Sequence, residues 1–285
     1  MRIAVIGKSG QLARSLAYVA GGQKELYFFG KEELDLLDEK VLFDTLSAAM
    51  CEVVINCAAY TAVDQAEDEP EAAYALNVTA VDHLVSVCKR LNAFLIHVST
   101  DYVFDGTGNA PYMEDDPTNP QSIYGSTKRK GEGVVLSSGA PCVIVRTSWL
   151  YSPFGKNFYK TIRQRLETNQ PLKVVNDQRG VPTSALDLAR ALLFLAANHK
   201  EISKPEVIHI SNTGATTWYD FSVEIAEGLE LDYDITPVDS SVFITKAKRP
   251  KYSVLSTKKL ASQFHYNVRR WQEGLHEVLS IEVQD

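Results

Sequence analysis

The first half of the chain alternates short, continuous apolar runs with longer stretches of helical spacing. The runs are residues 2–6, 25–29, 52–56, 94–98 and 142–146. Each is rich in Val, Ile or Phe and lacks polar alternation, the pattern of a strand buried on both faces. Helical patterns lie between them at 11–20, 39–50, 71–91 and 122–136, and Gly21-Gly22 stops the first. This alternation predicts an α/β fold: a doubly wound parallel sheet with right-handed crossovers and helices on both faces.

The second half is less regular. The spacing predicts helices over 156–168, 184–197 and 218–228, strands over 172–175 and 207–210, and an amphipathic tail after Arg269. The expected division is therefore residues 1–149 as one unit and residues 150–285 as a smaller C-terminal lobe, with some of its segments returning to the first sheet.

Composition narrows the class. Among 285 residues, 45% are apolar and 23% charged, which excludes a largely disordered chain, a collagen-like fibre and a coiled coil. Net charge is −7, a poor default for a nucleic-acid binder. No apolar run approaches the roughly 20 residues of a membrane-spanning helix. The N-terminal apolar run is too short for a secretory leader, so the expected setting is the reducing cytoplasm. Cys51, Cys57, Cys88 and Cys142 have no metal-type spacing. Cys57, Cys88 and Cys142 sit in apolar stretches and are read as buried thiols.

Candidate chemistry clusters where strands end. The first strand runs into Gly7-Lys8-Ser9-Gly10-Gln11-Leu12-Ala13, a G-x-x-G-x-x-A turn between strand and helix. Gly7 permits the tight turn and Gly10 a close approach to a pyrophosphate, which then faces a helix N-terminus. Its glycine spacing departs from G-x-G-x-x-G. The second strand ends at Gly30-Lys31 without an acidic residue. Lys31 is read either as the partner of a 2′-phosphate, favouring NADPH, or as a solvated lysine. Leu34-Asp35-Leu36 either flanks an adenine or is only a turn. The third strand ends Asn56-Cys57-Ala58-Ala59-Tyr60-Thr61, small enough for a cofactor to lie on the backbone or simply to pack. Asn77 is either a polar bridge to that region or exposed.

The fourth strand ends Val98-Ser99-Thr100-Asp101. Tyr124 and Lys128 follow, four apart, sharing one helix face. A tyrosine, with reference pKa about 10, becomes a usable proton carrier near an ammonium. Thr100 adds a hydroxyl to hold a carbonyl oxygen. Together these suit carbonyl–alcohol interconversion by hydride transfer. Tyr-x-x-x-Lys also occurs at Tyr27–Lys31, but Tyr27 lies in a strand and Gly30 interrupts the segment, so a shared helix face is not expected.

These stretches, with RTSWLY (146–151), NDQRGVPT (176–183) and RPKYSVL (249–255), resemble the dTDP-4-dehydrorhamnose reductase family within the extended short-chain dehydrogenase/reductases. The resemblance spans nearly the whole chain. It implies a Rossmann-type NAD(P)-binding domain over 1–149 and a mainly substrate-binding lobe over 150–285. The implied activity is NAD(P)H-dependent reduction of the C4 ketone of dTDP-4-dehydro-L-rhamnose. By resemblance, Gly10, Gln11, Leu12, Asp35, Leu36, Ala59, Tyr60, Thr61, Val98 and Ser99 line the cofactor; Gly7, Ser9, Lys31 and Ala58, from the strand-end turns, join them as cofactor candidates, together with Tyr124 and Lys128. Thr100, Tyr124 and Lys128 form the catalytic set. Thr100, Asp101, Val103, Phe104 and Trp149 face the sugar, and Asn157, Phe158 and Arg249 the nucleotide. Core packing is the other reading of Phe104, Phe158 and Trp149, and a surface turn that of Arg249.

Some members of this family are magnesium-bridged dimers held by glutamates. This chain carries Ser15 and Leu186 at two aligned positions, and neither offers the carboxylate oxygens Mg²⁺ prefers. The expectation is no metal, NADPH as cofactor with NADH as a second donor, and a monomer or weak homodimer. Competing readings are a reductase of another nucleotide-4-keto-6-deoxysugar, an epimerase or dehydratase of the superfamily, and a non-catalytic regulatory subunit of the same fold.

Overall fold

A computed structural model describes residues 1–281, so the last four residues of the 150–285 span lie outside the described residues. The apolar runs form strands β1 (Ile3–Ile6), β2 (Leu26–Phe29), β3 (Val53–Asn56), β4 (Phe94–Thr100) and β5 (Cys142–Thr147). They are joined by helices α1 (Gln11–Ala20), α2 (Glu39–Ala49), α3 (Pro70–Tyr74), α4 (Ala80–Leu91) and α5 (Ile123–Ser137). The second half contributes β6 (Leu150–Tyr151), α6 (Phe158–Glu167), β7 (Leu172–Val175), β8 (Arg179–Gly180), β9 (Thr183–Ser184) and α7 (Ala185–Ala197). Then come β10 (Glu206–His209), β11 (Thr216–Thr217), α8 (Trp218–Gly228), β12 (Ile235–Val238), α9 (Lys258–Phe264) and α10 (Trp271–Leu279).

The main sheet has six strands in the order β10-β5-β4-β3-β1-β2, all parallel. It is a Rossmann-type sheet. The order in which strands are added reverses between β1 and β3, and the crevice at their carboxyl ends is where such sheets bind ligands.

Successive strand residues point to opposite faces, which is why the strands read as unbroken apolar runs. Val5, Ile55, Ile96 and Val145 face α1 and α7 through Leu12, Leu16, Leu188 and Leu192. Ala4, Val54, Leu95 and Ile144 face the layer carrying Leu42, Leu46, Leu84 and Val135. Thus α7 and β10, from the second half, complete the first sheet and its cover. A separate cluster of Tyr159, Ile162, Leu172, Phe221, Ile225, Trp271 and Leu275 holds α6, α8, α10 and the β7–β12 pair together.

The helix expected over 71–91 is not continuous. A π turn at Ala75–Thr79 separates α3 from α4. The widened turn lies directly on α5, where Gly131 admits it: a Cβ there would sit 2.2 Å from the Asn77 carbonyl oxygen. The strands β6, β8, β9 and β11 have two residues each, too few to show any period in sequence.

Candidate active site

The glycine turn is built as a cradle. Gly7 has φ +95, a region that side chains disfavour, and a Cβ on it would meet the Ala58 nitrogen at 3.0 Å. Gly10 is the N-cap of α1, with no side-chain cap bond and no acidic residue in the first turn. The amides of that turn and the helix dipole therefore remain available to an anion.

Neighbouring strand ends are fixed by buried polar side chains. Asn56 Oδ1 accepts from the Ala58 N–H at 3.1 Å. Asn77, 1% exposed, is the polar bridge rather than a surface residue. Its Oδ1 accepts from the Tyr60 N–H at 2.9 Å, and its Nδ2 donates to the Tyr60 carbonyl at 3.2 Å and to Thr127 Oγ1 at 3.0 Å. One residue thereby ties the β3 exit to α5. At the rim, Glu33 accepts from Lys8 at 2.6 Å and from the Gly30 N–H at 2.8 Å. Asp35 Oδ1 caps its own turn at the Leu37 N–H, 2.9 Å away, while still lining the cleft.

Ser122 starts α5 by accepting from the Gly125 N–H at 3.1 Å. A Cβ on Gly125 would lie 2.2 Å from the Tyr102 carbonyl oxygen, so the helix backbone rests on the segment after β4. Thr100, Tyr124 and Lys128 consequently line one cleft. Thr100 donates to Asp101 Oδ1 at 3.0 Å, accepts from the Tyr102 N–H at 3.2 Å, and neighbours the Tyr124 phenol. Tyr102 meets Tyr124 edge to face at 5.5 Å.

The electrostatics depart from expectation. Desolvation pushes Tyr124 up to about 12; Thr100 opposes this and the Asp101 carboxylate reinforces it. The Lys128 ammonium is instead turned to the Val98 carbonyl, to which it donates at 2.7 Å. Burial drives Lys128 down to about 8, against Glu132 and Cys57. Lys128 is therefore not what sets the acidity of Tyr124 in this geometry. Asp101, 2% exposed, has its carboxyl pushed up to about 6 by burial, with Ser253 and Thr100 pulling it down.

The cleft has a volume of about 1050 Å³ and runs from the glycine turn past Lys31, Asp35, Leu36 and residues 58–61 to Thr100, Tyr124, Lys128 and Trp149. Ser9, Gln11, Leu12, Val98, Ser99 and Asp101 also line it. Trp149 is half-exposed rather than core. It has φ +45 and stacks on Trp218 at 3.6 Å. A Cβ on Gly180 would strike its ring at 2.4 Å, so that glycine makes room for the indole.

Five expected substrate contacts are not among the side chains that line the cleft. Val103 is fully buried, and Phe104, 2% exposed, stacks on Tyr112 at 4.2 Å, so both side chains are core. Asn157 caps α6 by accepting from the Lys160 N–H at 3.1 Å and donates to the Ser152 and Phe154 carbonyls. Phe158 packs behind Trp218 at 4.4 Å. Arg249 donates to Asp64 at 2.8 Å, tying the C-terminal lobe to the segment after β3. Cys57, expected to be buried, is half-buried on the cleft wall because β3 ends there. Tyr27 sits in β2 with Lys31 beyond its end, so that Tyr-x-x-x-Lys spans no helix.

Sequence reasoning missed Tyr102 and Trp218. Trp218 opens α8, far along the chain and without a motif. Tyr102 is adjacent to Thr100 and Asp101, and that adjacency was its signal.

The RmlD substrate binding domain family matches residues 1–283. A dTDP-4-dehydrorhamnose reductase of Sinorhizobium fredii is 37% identical, covering 98% of this chain and 97% of that one. A spore coat polysaccharide biosynthesis protein of Bacillus subtilis is 36% identical, covering 98% and 96%. The crystal structure of a Bacillus anthracis dTDP-4-dehydrorhamnose reductase in complex with NADP superposes with a TM-score of 0.92 at 32% identity, covering 97% of this chain and 98% of that one. The match over nearly the whole chain shows the family: the chain belongs to the RmlD family, that of the dTDP-4-dehydrorhamnose reductases.

Proposed function

We propose that the protein is an NAD(P)H-dependent oxidoreductase that reduces the C4 ketone of dTDP-4-dehydro-L-rhamnose to dTDP-L-rhamnose, a precursor of cell-surface polysaccharide. The observation that carries this reading is the convergence of Thr100, Tyr124 and Lys128 on a cleft that begins at an anion-ready helix N-terminus. The sugar-specific part rests on relatives similar over nearly the whole chain. Residues 1–149 then supply most of the cofactor site, and 150–285 mainly the sugar-nucleotide side, with Trp149 and Trp218 as its aromatic wall.

A reduced nicotinamide, when bound, supplies the hydride. Gly7 and Gly10 leave room for its pyrophosphate, and the α1 amides face that charge. Thr100 orients the ketone oxygen. Tyr124, held protonated at neutral pH by its raised pKa, gives its proton to the oxygen as charge develops there. Lys128, lowered to about 8 by burial, lines the same cleft one helical turn from Tyr124. A regulatory subunit has no use for such a set, which favours the enzyme. Consumption of NAD(P)H that depends on dTDP-4-dehydrorhamnose tests the reading; no consumption with either cofactor refutes it.

NADPH preference is assigned to Lys31. It lies exposed at the adenosine end of the cleft, whereas Lys8 is paired with Glu33. Lys31→Ala is expected to raise KM for NADPH up to about fivefold, the worth of an exposed ion pair, and to leave KM for NADH nearly unchanged. Equal movement of both would make Lys31 a surface charge.

Metal independence is the second proposal. Ser15 and Leu186 are fully buried, Leu186 among the side chains of the C-terminal cluster, and the Ser15 hydroxyl is used on the Gln11 carbonyl at 2.8 Å. Asp187, next to Leu186, is engaged by Arg190 and Arg269. Turnover and sedimentation are expected to be the same in EDTA and in Mg²⁺, as a monomer or weak homodimer. Reversible loss of activity in EDTA, or Mg²⁺-driven dimerisation, would contradict this.

A further inference from the structure

The hydrogen bonds behind Lys128 close in only one way. Asn56 and His97 are 2% and 0% exposed, so water does not fill a missing bond there. The Ala58 N–H donates to Asn56 Oδ1 at 3.1 Å. That fixes the amide, because the flipped orientation would set an NH₂ group against this N–H. Asn56 Nδ2 then faces His97 Nδ1 at 3.1 Å as a donor. Nδ1 must accept, and a neutral imidazole that accepts there carries its proton on Nε2. Burial and the Lys128 charge hold His97 neutral by lowering its pKa well below the ordinary range. Its Nε2 lies 3.4 Å from Lys128 Nζ. An ammonium has three donors and no lone pair, so only the amine form of Lys128 accepts this N–H. The amine still donates to the Val98 carbonyl at 2.7 Å.

We propose that His97 is a positioning residue for Lys128: locked in one tautomer by Asn56, it donates through Nε2 to the amine form of the lysine and so favours that form. This deepens the reductase reading and rests on Lys128 serving that site. The other groups that face the lysine act differently. Glu132, one turn further along α5, and Cys57, at the exit of β3, both favour the ammonium. Tyr124 lies one turn earlier on the same helix. The His97–Asn56 pair favours the amine from the strand side, on β4 and β3.

The test uses the whole protein without substrate, labelled with ¹⁵N in its 6 histidines and with ¹³Cε in its lysines. His97 is assigned by ring-to-backbone correlation and Lys128 by the signal lost in Lys128→Met. His97 is expected to show a pyridine-type Nδ1 and a pyrrole-type Nε2 throughout the neutral range. In His97→Gln the amide oxygen can accept from the ammonium, so the Lys128 midpoint is expected to rise by about one pH unit. A pyrrole-type Nδ1, an imidazolium, or a Lys128 midpoint that stays or falls in His97→Gln overturns the proposal. If His97→Gln fails to fold, the tautomer in the unsubstituted protein decides. Neither reading needs turnover, so failure here is separable from failure of the reductase assignment, which shows only with the sugar nucleotide.

Discussion

Tyr124→Phe is expected to lower kcat by about 10²–10⁴-fold, the usual worth of general acid catalysis, while the Kd for NADPH stays unchanged. The substitution removes one oxygen and keeps the ring against Tyr102. The direction follows from the environment of the phenol. Desolvation raises Tyr124 to about 12 and thereby keeps it protonated at neutral pH. Reduction needs a donor in that state, because the alkoxide left by hydride addition is far more basic than a phenolate. For the same reason, the Tyr124 contribution to kcat is expected to be flat through neutral pH and to fade only as pH climbs toward that value. Tyr27→Phe, on β2, is the control and is expected to be almost silent. Near-normal turnover in Tyr124→Phe would remove the tyrosine from the mechanism.

Arg146→Met is expected to cost about 3–5 kcal/mol of stability, because it strands a buried charge. Arg146 and Glu132 are 3% and 0% exposed. The guanidinium grips both carboxylate oxygens, each at 2.8 Å. Glu132 also accepts from the Ser99 hydroxyl at 2.7 Å, so the pair stands directly behind the catalytic end of β4. Losing the arginine leaves the carboxylate with that hydroxyl and with Arg129 at 3.9 Å. The double variant Glu132→Gln, Arg146→Met removes both charges and keeps an acceptor for Ser99. It is expected to recover most of the loss, because replacing a buried pair whole is far cheaper than halving it. Urea unfolding of the two variants measures this. A single substitution costing under about 1 kcal/mol would show that the pair is not an isolated buried charge couple.

The sheet was legible because its strands are buried on both faces and so carry an unbroken apolar signal. The same burial made β10 visible as an apolar run, although its place beside β5 is a matter of topology. The C-terminal lobe was harder. Its strands of two residues have no period, and β12 contains Pro237 and alternates only weakly. The π turn at Asn77 was invisible because backbone widening leaves no compositional mark. At the site, residues tied to local grammar were readable: the Gly7–Gly10 turn, Thr100 at a strand tip, and Tyr124 with Lys128 on one helix face. Residues whose role depends on packing were not. Phe104 and Phe158 look alike as aromatics, and only the structure puts one on Tyr112 and the other behind Trp218. The direction of the Lys128 ammonium likewise depends on the Val98 carbonyl, a backbone group that no side-chain motif announces.

The proposed reaction delivers hydride to C4 of the sugar with Tyr124 as proton donor. Its most direct test is a single-turnover reaction of the protein with dTDP-4-dehydro-L-rhamnose and NADPH carrying deuterium in the transferable position of the nicotinamide. The product is then read by ¹H and ²H NMR. One deuterium is expected at C4 of dTDP-L-rhamnose, and its loss in Tyr124→Phe on the same timescale. Deuterium at another carbon, the C4 epimer as product, or no transfer at all would contradict it.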